Sequence, residues 1–572
     1  MRRLWFLLIL FSLACRALSP LAMPAEAPVA TAIPSREASP TAEITGDSAE
    51  PGAESFGYSV RAHPDGGLYV GDRVSFEVIA PPSAEAREVS VRLKLGYGET
   101  QELGSARFSP FGILGRLQAT LTWVWDTRFL EPGEYTVFFT LHPQNLTWEE
   151  RFTLLPASQL VSWEARSAWA SARSECCTVF YLTGTEAERD LPALLETIDL
   201  QAEQASRNMG VQITEPITIT LLPRLLGHGG FADQDIHVSY LDRNYTIGDL
   251  GMILHHEIIH VLDARQGGDL RPSLLVEGLA VYLTGGHYQP EPLLPRAAAL
   301  LSFPGWFIPL EELAMNFYTS QHEIGYLEGG ALVAFMVQRW GLPAFMDFYR
   351  DIHPHPSGSI ARALDQALKS HFGMSLAALE AEFLQELKRQ IVPSDVAENL
   401  RLTIALYDTA RYYQQLLDPS AYFLTPWLVD TREMRRLEIT ADYLRRPEEP
   451  ANLAIETMLA QASAALKDNR FVEAERLLKA VETVLQAMEQ GVPHPFSQDA
   501  LAADYFDIVT VLKSSRVLTS PLSSNPLQPQ IIKVEGDQAV VYYRTAEPTL
   551  ATARLVRGRN GWRWSWSWEQ GN

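Results

Sequence analysis

His256-Glu257-Ile258-Ile259-His260 decides how the middle of this chain is read. On a helix, residues four apart stand one turn above each other on the same face, so both imidazoles can close on one ion. Glu257 projects beside them, where its carboxylate can take a proton from a metal-bound water. Upstream, Asp249 starts a helix whose apolar periodicity runs through Leu262, and Gly267-Gly268 ends it. Pro272 then opens a second helix over Leu274–Leu283. Glu277 lies in the apolar interior of that helix, where a bare carboxylate is costly and a divalent cation would compensate it. A catalytic zinc takes three protein ligands and one water, so His256, His260 and Glu277 make the expected Zn2+ set.

Other candidates fit less well. The metzincin pattern needs Gly and His three and six residues after the second histidine, where this chain has Asp263 and Gln266. Asp263, one turn beyond His260, suits the support of a ligand better than direct binding. His287 follows Gly285-Gly286 and reads as a loop or surface histidine. His353 and His355 flank Pro354 in a loop and read as solvent-exposed.

His255-His256-Glu257-Ile258-Ile259-His260 followed by Val276-Glu277-Gly278-Leu279-Ala280-Val281-Tyr282 resembles the gluzincin metallopeptidases of the peptidase MA-like group, which are related to the aminopeptidase N family. Sixteen residues separate His260 from Glu277, two fewer than is usual in that family, which implies a shorter connection. Val281 stands where thermolysin-like enzymes carry an Asp, so a carboxylate that orients a ligand histidine must come from elsewhere. Tyr326-Leu327-Glu328-Gly329 resembles the segment in which such enzymes place a tyrosine on the tetrahedral oxyanion, which implies a catalytic role for Tyr326 beside Glu257. Gly229–Asp233 reads as a turn and Ile236–Tyr240 as a short strand. The resemblance implies an edge strand here that pairs with an extended substrate. The G-x-M-E-N motif that grips a free amino terminus in aminopeptidases is missing.

The resemblance covers Glu164 to Gln390. It opens with a strand over Ser174–Leu182, a helix over Glu186–Met209 and a strand over Pro216–Leu222. Amphipathic helices follow at Leu342–Ile352, Ser359–Phe372 and Ser375–Gln390. Cys176 and Cys177 fall side by side on the first strand, where neighbours point to opposite faces. A disulfide between them would be strained, and they are expected as two small buried residues, or one buried and one at an edge, rather than a redox pair.

At 572 residues the chain is too long for one core, and its charge of −22 argues against nucleic acid or an anionic membrane as partner. Arg2-Arg3 and the apolar run Leu4–Phe11 read as a secretory signal within residues 1–23. Ser12-Leu13-Ala14-Cys15 resembles a bacterial lipoprotein cleavage box, with Leu13 at a position that usually holds a small residue. The expectation is an extracytoplasmic protein, secreted or lipid-anchored through Cys15. Residues 24–55, rich in Ala, Pro, Ser, Thr and Glu, read as a linker.

The expected fold is multidomain. Residues 56–157 carry strand signals at Leu68–Ile79, Val89–Leu95, Ala119–Trp125, Glu134–His142 and Trp148–Leu155, and resemble an immunoglobulin-like β-sandwich. Residues 163–392 form the α+β gluzincin-like unit, and 393–495 a helical region with a hairpin of Leu453–Leu466 and Val472–Met488. Residues 496–572 resemble a small nuclear-transport-factor-like α+β domain, with Asp499 as a helix N-cap and Trp562, Trp564, Trp566 and Trp568 on one strand face. The functional expectation is a zinc-dependent peptidase acting on peptide or protein substrates. The alternatives are a cell-surface binding protein whose metal-stabilised zincin domain is not catalytic, and a non-peptide metallohydrolase.

Overall fold

The computed structural model describes residues 56–95, 98–245, 248–514, 529–544, 550–559 and 561–565. Expectations for residues 1–55, and for Trp566 and Trp568, lie outside them. Among the described residues no helix is long and apolar enough to cross a membrane.

The N-terminal unit is a pair of sheets around one core. One sheet has the order Ser59–His63, Arg73–Ile79, Arg116–Asp126, Ser109–Phe111. The other runs Leu68–Tyr69, Leu146–Leu155, Gly133–His142, Glu88–Lys94, Thr100–Arg107. Alternating residues such as Val74, Phe76, Val89, Val91 and Phe139 fill the space between. The strand expected over Leu68–Ile79 is two strands, one in each sheet. Gly71 adopts φ +111° between them, and the chain crosses from one sheet to the other there.

The next unit is a five-stranded mixed sheet in the order Trp169–Arg173, Cys177–Leu182, Ile217–Leu222, Ile236–Ser239, Gly230–Ala232. The helices Leu191–Met209 and Leu250–Gln266 pack their apolar faces into its core. Three sequence expectations are corrected here. The helix expected over Glu186–Met209 breaks at Asp190 into Glu186–Arg189 and Leu191–Met209, with Pro192 starting the second piece. Ile236–Ser239 is an inner strand, because Gly230–Ala232 folds back antiparallel on it and takes the edge. Cys176 and Cys177 form a disulfide. The strand begins only at Cys177, and Cys176 sits in the turn closed by Ser174 N–H on the Cys177 carbonyl (3.0 Å), so the pair does not obey strand alternation.

Helices then take over. Ser273–Thr284, His322–Trp340, Ile360–Phe372 and Leu376–Arg389 share a second core. Ser394–Leu417 leads to the hairpin Pro450–Lys467 and Phe471–Glu489, and to Ala500–Ser514. Asp499 caps the last of these, accepting from Leu501 N (2.8 Å) and Ala502 N (3.0 Å). The final sheet is an antiparallel meander of Pro529–Glu535, Gln538–Arg544, Leu550–Gly558 and Gly561–Trp564. Its inner residues Ile532, Val541, Leu555 and Trp562 join the core of those helices, so helices and sheet share one interior, and Trp564 packs at its margin.

Candidate metal centre

The motif helix is built to hold its polar residues still. Asp249 caps it by accepting from Met252 N (3.1 Å), and Gly267 with φ +81° ends it. Leu254, Ile258, Val261 and Leu262 anchor one face to the sheet core. His255 turns away from the motif and binds Gln201 Oε1 (3.0 Å) and Asn208 (3.3 Å) on the neighbouring helix. That fixes the rotation of the helix about its axis, and with it the direction of His256 and His260.

Glu277 reaches the same point from the second helix. His256 Nε2 and His260 Nε2 each lie 3.1 Å from Glu277 Oε2, and 2.9 Å from one another. In a tetrahedral zinc site, donors about 2.0–2.1 Å from the ion stand about 3.3 Å apart, so these edges fit a small divalent ion. Among the described residues this is the one group of three histidine, cysteine or acidic side chains close enough to share an ion.

The charges agree with that geometry. Burial, and then the neighbouring His260, bring His256 down to about 4. Burial also opposes a charge on His260, but the Glu277 carboxylate outweighs it and lifts His260 to about 9. Glu277 is buried too, yet the two imidazoles hold it well below the usual carboxylate range.

Glycine brings the ligand helix into place. A Cβ on Gly278 would stand 2.5 Å from the Gly329 carbonyl oxygen, and one on Gly330 would stand 2.4 Å from Val281 Cγ1. The helices Ser273–Thr284 and His322–Trp340 therefore meet backbone to backbone. This close approach explains the glycine that follows Glu277 and the pair that follows Glu328.

Glu257 differs from the three. It is 6 % exposed, its Oε2 is buried with no hydrogen-bond partner among the described residues, and burial pushes its carboxyl up to about 7. A Cβ on Gly230 would meet its Oε1 at 3.1 Å, so the edge strand lies directly against it. A carboxyl poised near neutrality at the rim of a free strand edge can take and return a proton.

The surroundings of the triad are only partly as expected. Tyr326 is buried, with its ring centre 6.1 Å from that of His256. A phenol that touches the triad is Tyr318, which donates to Glu277 Oε1 at 2.6 Å. Tyr318 lies in a single 3-10 turn outside every motif, and sequence reading passed it over. His287 is corrected: it is not on the surface but bonds the fully buried Glu323 at 2.7 Å and stacks on Tyr326 at 4.4 Å. A buried carboxylate demands such a partner, and the 285–292 loop folds inward to supply it. Asp263 pairs with Arg271 and accepts from Tyr349 (2.8 Å), which ties the loop between the ligand helices. It reaches His260 only through its field. His353 is exposed, beside Asp269.

No protein-family model matches this chain, and no curated protein does. Among solved structures it is similar to an M1 zinc metallopeptidase from Deinococcus radiodurans, at 14 % identity and a TM-score of 0.26, over 59 % of this chain and 94 % of that one. It is also similar to an aminopeptidase N family protein from Idiomarina loihiensis, at 9 % identity and a TM-score of 0.26, over 58 % of this chain and 77 % of that one.

Proposed function

We propose that this chain is a zinc-dependent peptidase that works outside the cytoplasm. The observation that carries the reading is the meeting of His256, His260 and Glu277 at one point, next to a buried, partnerless Glu257. His256, His260 and Glu277 would hold the ion. When bound, zinc supplies Lewis acidity, lowering the pKa of water towards neutrality and polarising a carbonyl.

The chain's own residues do the rest. Gly230–Ala232 is the outermost strand of its sheet among the described residues, and an extended peptide can lie on it as an added strand. Glu257, facing that edge, takes a proton from the attacking water and returns it to the leaving amine. Tyr318 orients Glu277 through its hydrogen bond. Tyr326, whose ring centre lies 6.1 Å from that of His256, would donate to the developing oxyanion. The sandwich and the C-terminal meander serve to space the unit or present substrate. An extracytoplasmic place, secreted or lipid-anchored at Cys15, follows from the expected signal segment.

The test is metal content of the purified chain, paired with unbiased cleavage of a peptide library with and without a chelator. The expected result is one zinc per chain and cleavage that the chelator abolishes and zinc restores. Equimolar zinc with no cleavage of any peptide would favour the binding-protein reading instead.

A further inference from the structure

Next to the triad, and joined to it through Tyr326, lies a cluster of polar side chains that the reaction does not use. His228 and His322 stack with ring centres 3.9 Å apart, and Tyr326 stands 4.5 Å from His322. Arg411 lies over Phe423 at 4.5 Å and donates its Nε–H to His228 Nε2 at 3.0 Å. That bond makes Nε2 the acceptor, so the neutral His228 ring carries its hydrogen on Nδ1.

Four polar atoms in this cluster are buried with no partner among the described residues: His228 Nδ1, Arg411 Nη2 and both ring nitrogens of His322. His322 is only 5 % exposed. Leaving such groups unpaired is costly, so the arrangement is suited to something that arrives later. Burial pulls the pKa of Arg411 down, with Asp408 only partly offsetting it, and holds both histidines well below their usual value. His228 Nδ1–H, the one N–H of a neutral His322 and the Arg411 Nη2 group thus stand as donors around a single guanidinium, and one singly charged, planar acceptor matches them. A carboxylate has that charge and geometry. A doubly charged phosphate would leave one buried charge uncompensated.

Position supplies the second argument. His228 precedes by two residues the edge-strand Gly230 that lies against Glu257. Residues of an added strand are spaced about 3.3–3.4 Å apart, so a side chain within one or two residues of the scissile bond comes level with His228.

We propose that Arg411, His228 and His322 form a carboxylate-binding subsite contiguous with the metal centre, which selects peptides bearing an acidic group beside the scissile bond. This rests on the peptidase reading above. The carboxylate comes either from an Asp or Glu side chain or from the substrate's own C-terminus.

The experiment uses the full metal-loaded chain and peptides matched in pairs: Glu against Gln at each position, and free against amidated C-terminus. Affinity is measured by calorimetry on Glu257→Gln, which does not turn the peptide over, and cleavage on the parent. At one position, or at the chain end, the acid is expected to bind about tenfold or more tighter than its amide. Adding Arg411→Gln should erase the preference, and Arg411→Lys should keep part of it. If Arg411→Gln does not fold, His228→Asn should reduce the preference in its place, and the parent's own discrimination still decides. Peptides that bind or are cleaved with no acid preference overturn the subsite and leave the peptidase standing. Acid-selective binding with no cleavage anywhere overturns the peptidase and leaves the subsite. Binding of no peptide at all overturns both.

Discussion

Arg445 and Glu257 are both withdrawn from water, and their surroundings treat that charge differently. Arg445 sits where the N-terminal sandwich meets the helical region. It bonds Asp72 through both terminal nitrogens (2.6 and 2.9 Å), Glu164 through Nε (2.5 Å) and the Gly67 carbonyl (2.9 Å). Close by, Arg224 bridges Asp65 of the sandwich (2.5 Å) and Asp418 of the helices (3.1 Å). Each charge in this joint faces its opposite. Glu257 has no such partner, and the imidazoles four residues apart confront each other across 2.9 Å. A satisfied buried charge fixes the orientation of units, whereas an unsatisfied one is held ready for a molecule that comes and goes.

Glu257→Gln gives the largest separation of the two. It keeps the shape and the triad but removes the base, so kcat/KM should fall by up to about ten-thousandfold with zinc content unchanged. Because the lost group is a partnerless buried acid, the melting temperature should hold or rise. Retention of most of the activity would falsify the assigned role.

Arg445→Ala should show the reverse pattern. Removing one side of a buried ion pair strands Asp72 and Glu164, at a cost of about 3–5 kcal/mol. Denaturant unfolding should show that loss, while activity per folded, zinc-loaded molecule stays near the parent's. A marked fall in kcat in the folded protein would mean that the joint also shapes the site.

Tyr318→Phe probes a contact that links Glu277 to the protein around it. Loss of the 2.6 Å bond to Glu277 should weaken zinc binding by about 10–100-fold in a chelator competition. An unchanged affinity would show that Glu277 is held by its helix alone. Gly278→Ala tests that helix contact directly. The added methyl meets a backbone carbonyl, which cannot swing aside, and overpacking of this kind costs about 1–3 kcal/mol. A melting temperature equal to the parent's would show that the helices separate freely.

The meeting of His256, His260 and Glu277 could be read in advance, because its information is local. A spacing of four puts His256 and His260 on one helix face, and a lone acid in an apolar helix at Glu277 asks for a cation. What could not be read comes from tertiary contacts. Tyr318 arrives on a short turn, His287 on a loop drawn in by Glu323, and Arg411 from a helix more than a hundred residues downstream of the motif. None carries periodicity or spacing that points to the site. The Cys176–Cys177 bond escaped for a smaller reason: the strand starts one residue later than its composition implies, so alternation does not govern the pair. The edge strand escaped likewise, since only pairing shows that Gly230–Ala232 lies outside Ile236–Ser239.

Glu328 sharpens the contrast, being a buried acid with an unpartnered oxygen that lies outside the triad. Its Oε2 accepts from Ile308 N at 3.1 Å, its Oε1 has no partner among the described residues, and burial raises its carboxyl well above the usual 4.5. The neutral acid therefore satisfies the fold, and the ionised one does not. With the folded value above the unfolded one, the stability Glu328 contributes is full below about pH 4.5 and is lost as the pH rises towards the folded value. Gln cannot ionise, so Glu328→Gln should melt close to the parent at pH 5 and increasingly above it towards pH 8, with activity intact. Parallel melting curves across that range would show that Glu328 finds a counter-charge when it ionises. A partnerless oxygen would then be no guide to chemistry even in this one protein, and the reading of Glu257 would have to stand on its place beside the triad and the strand edge.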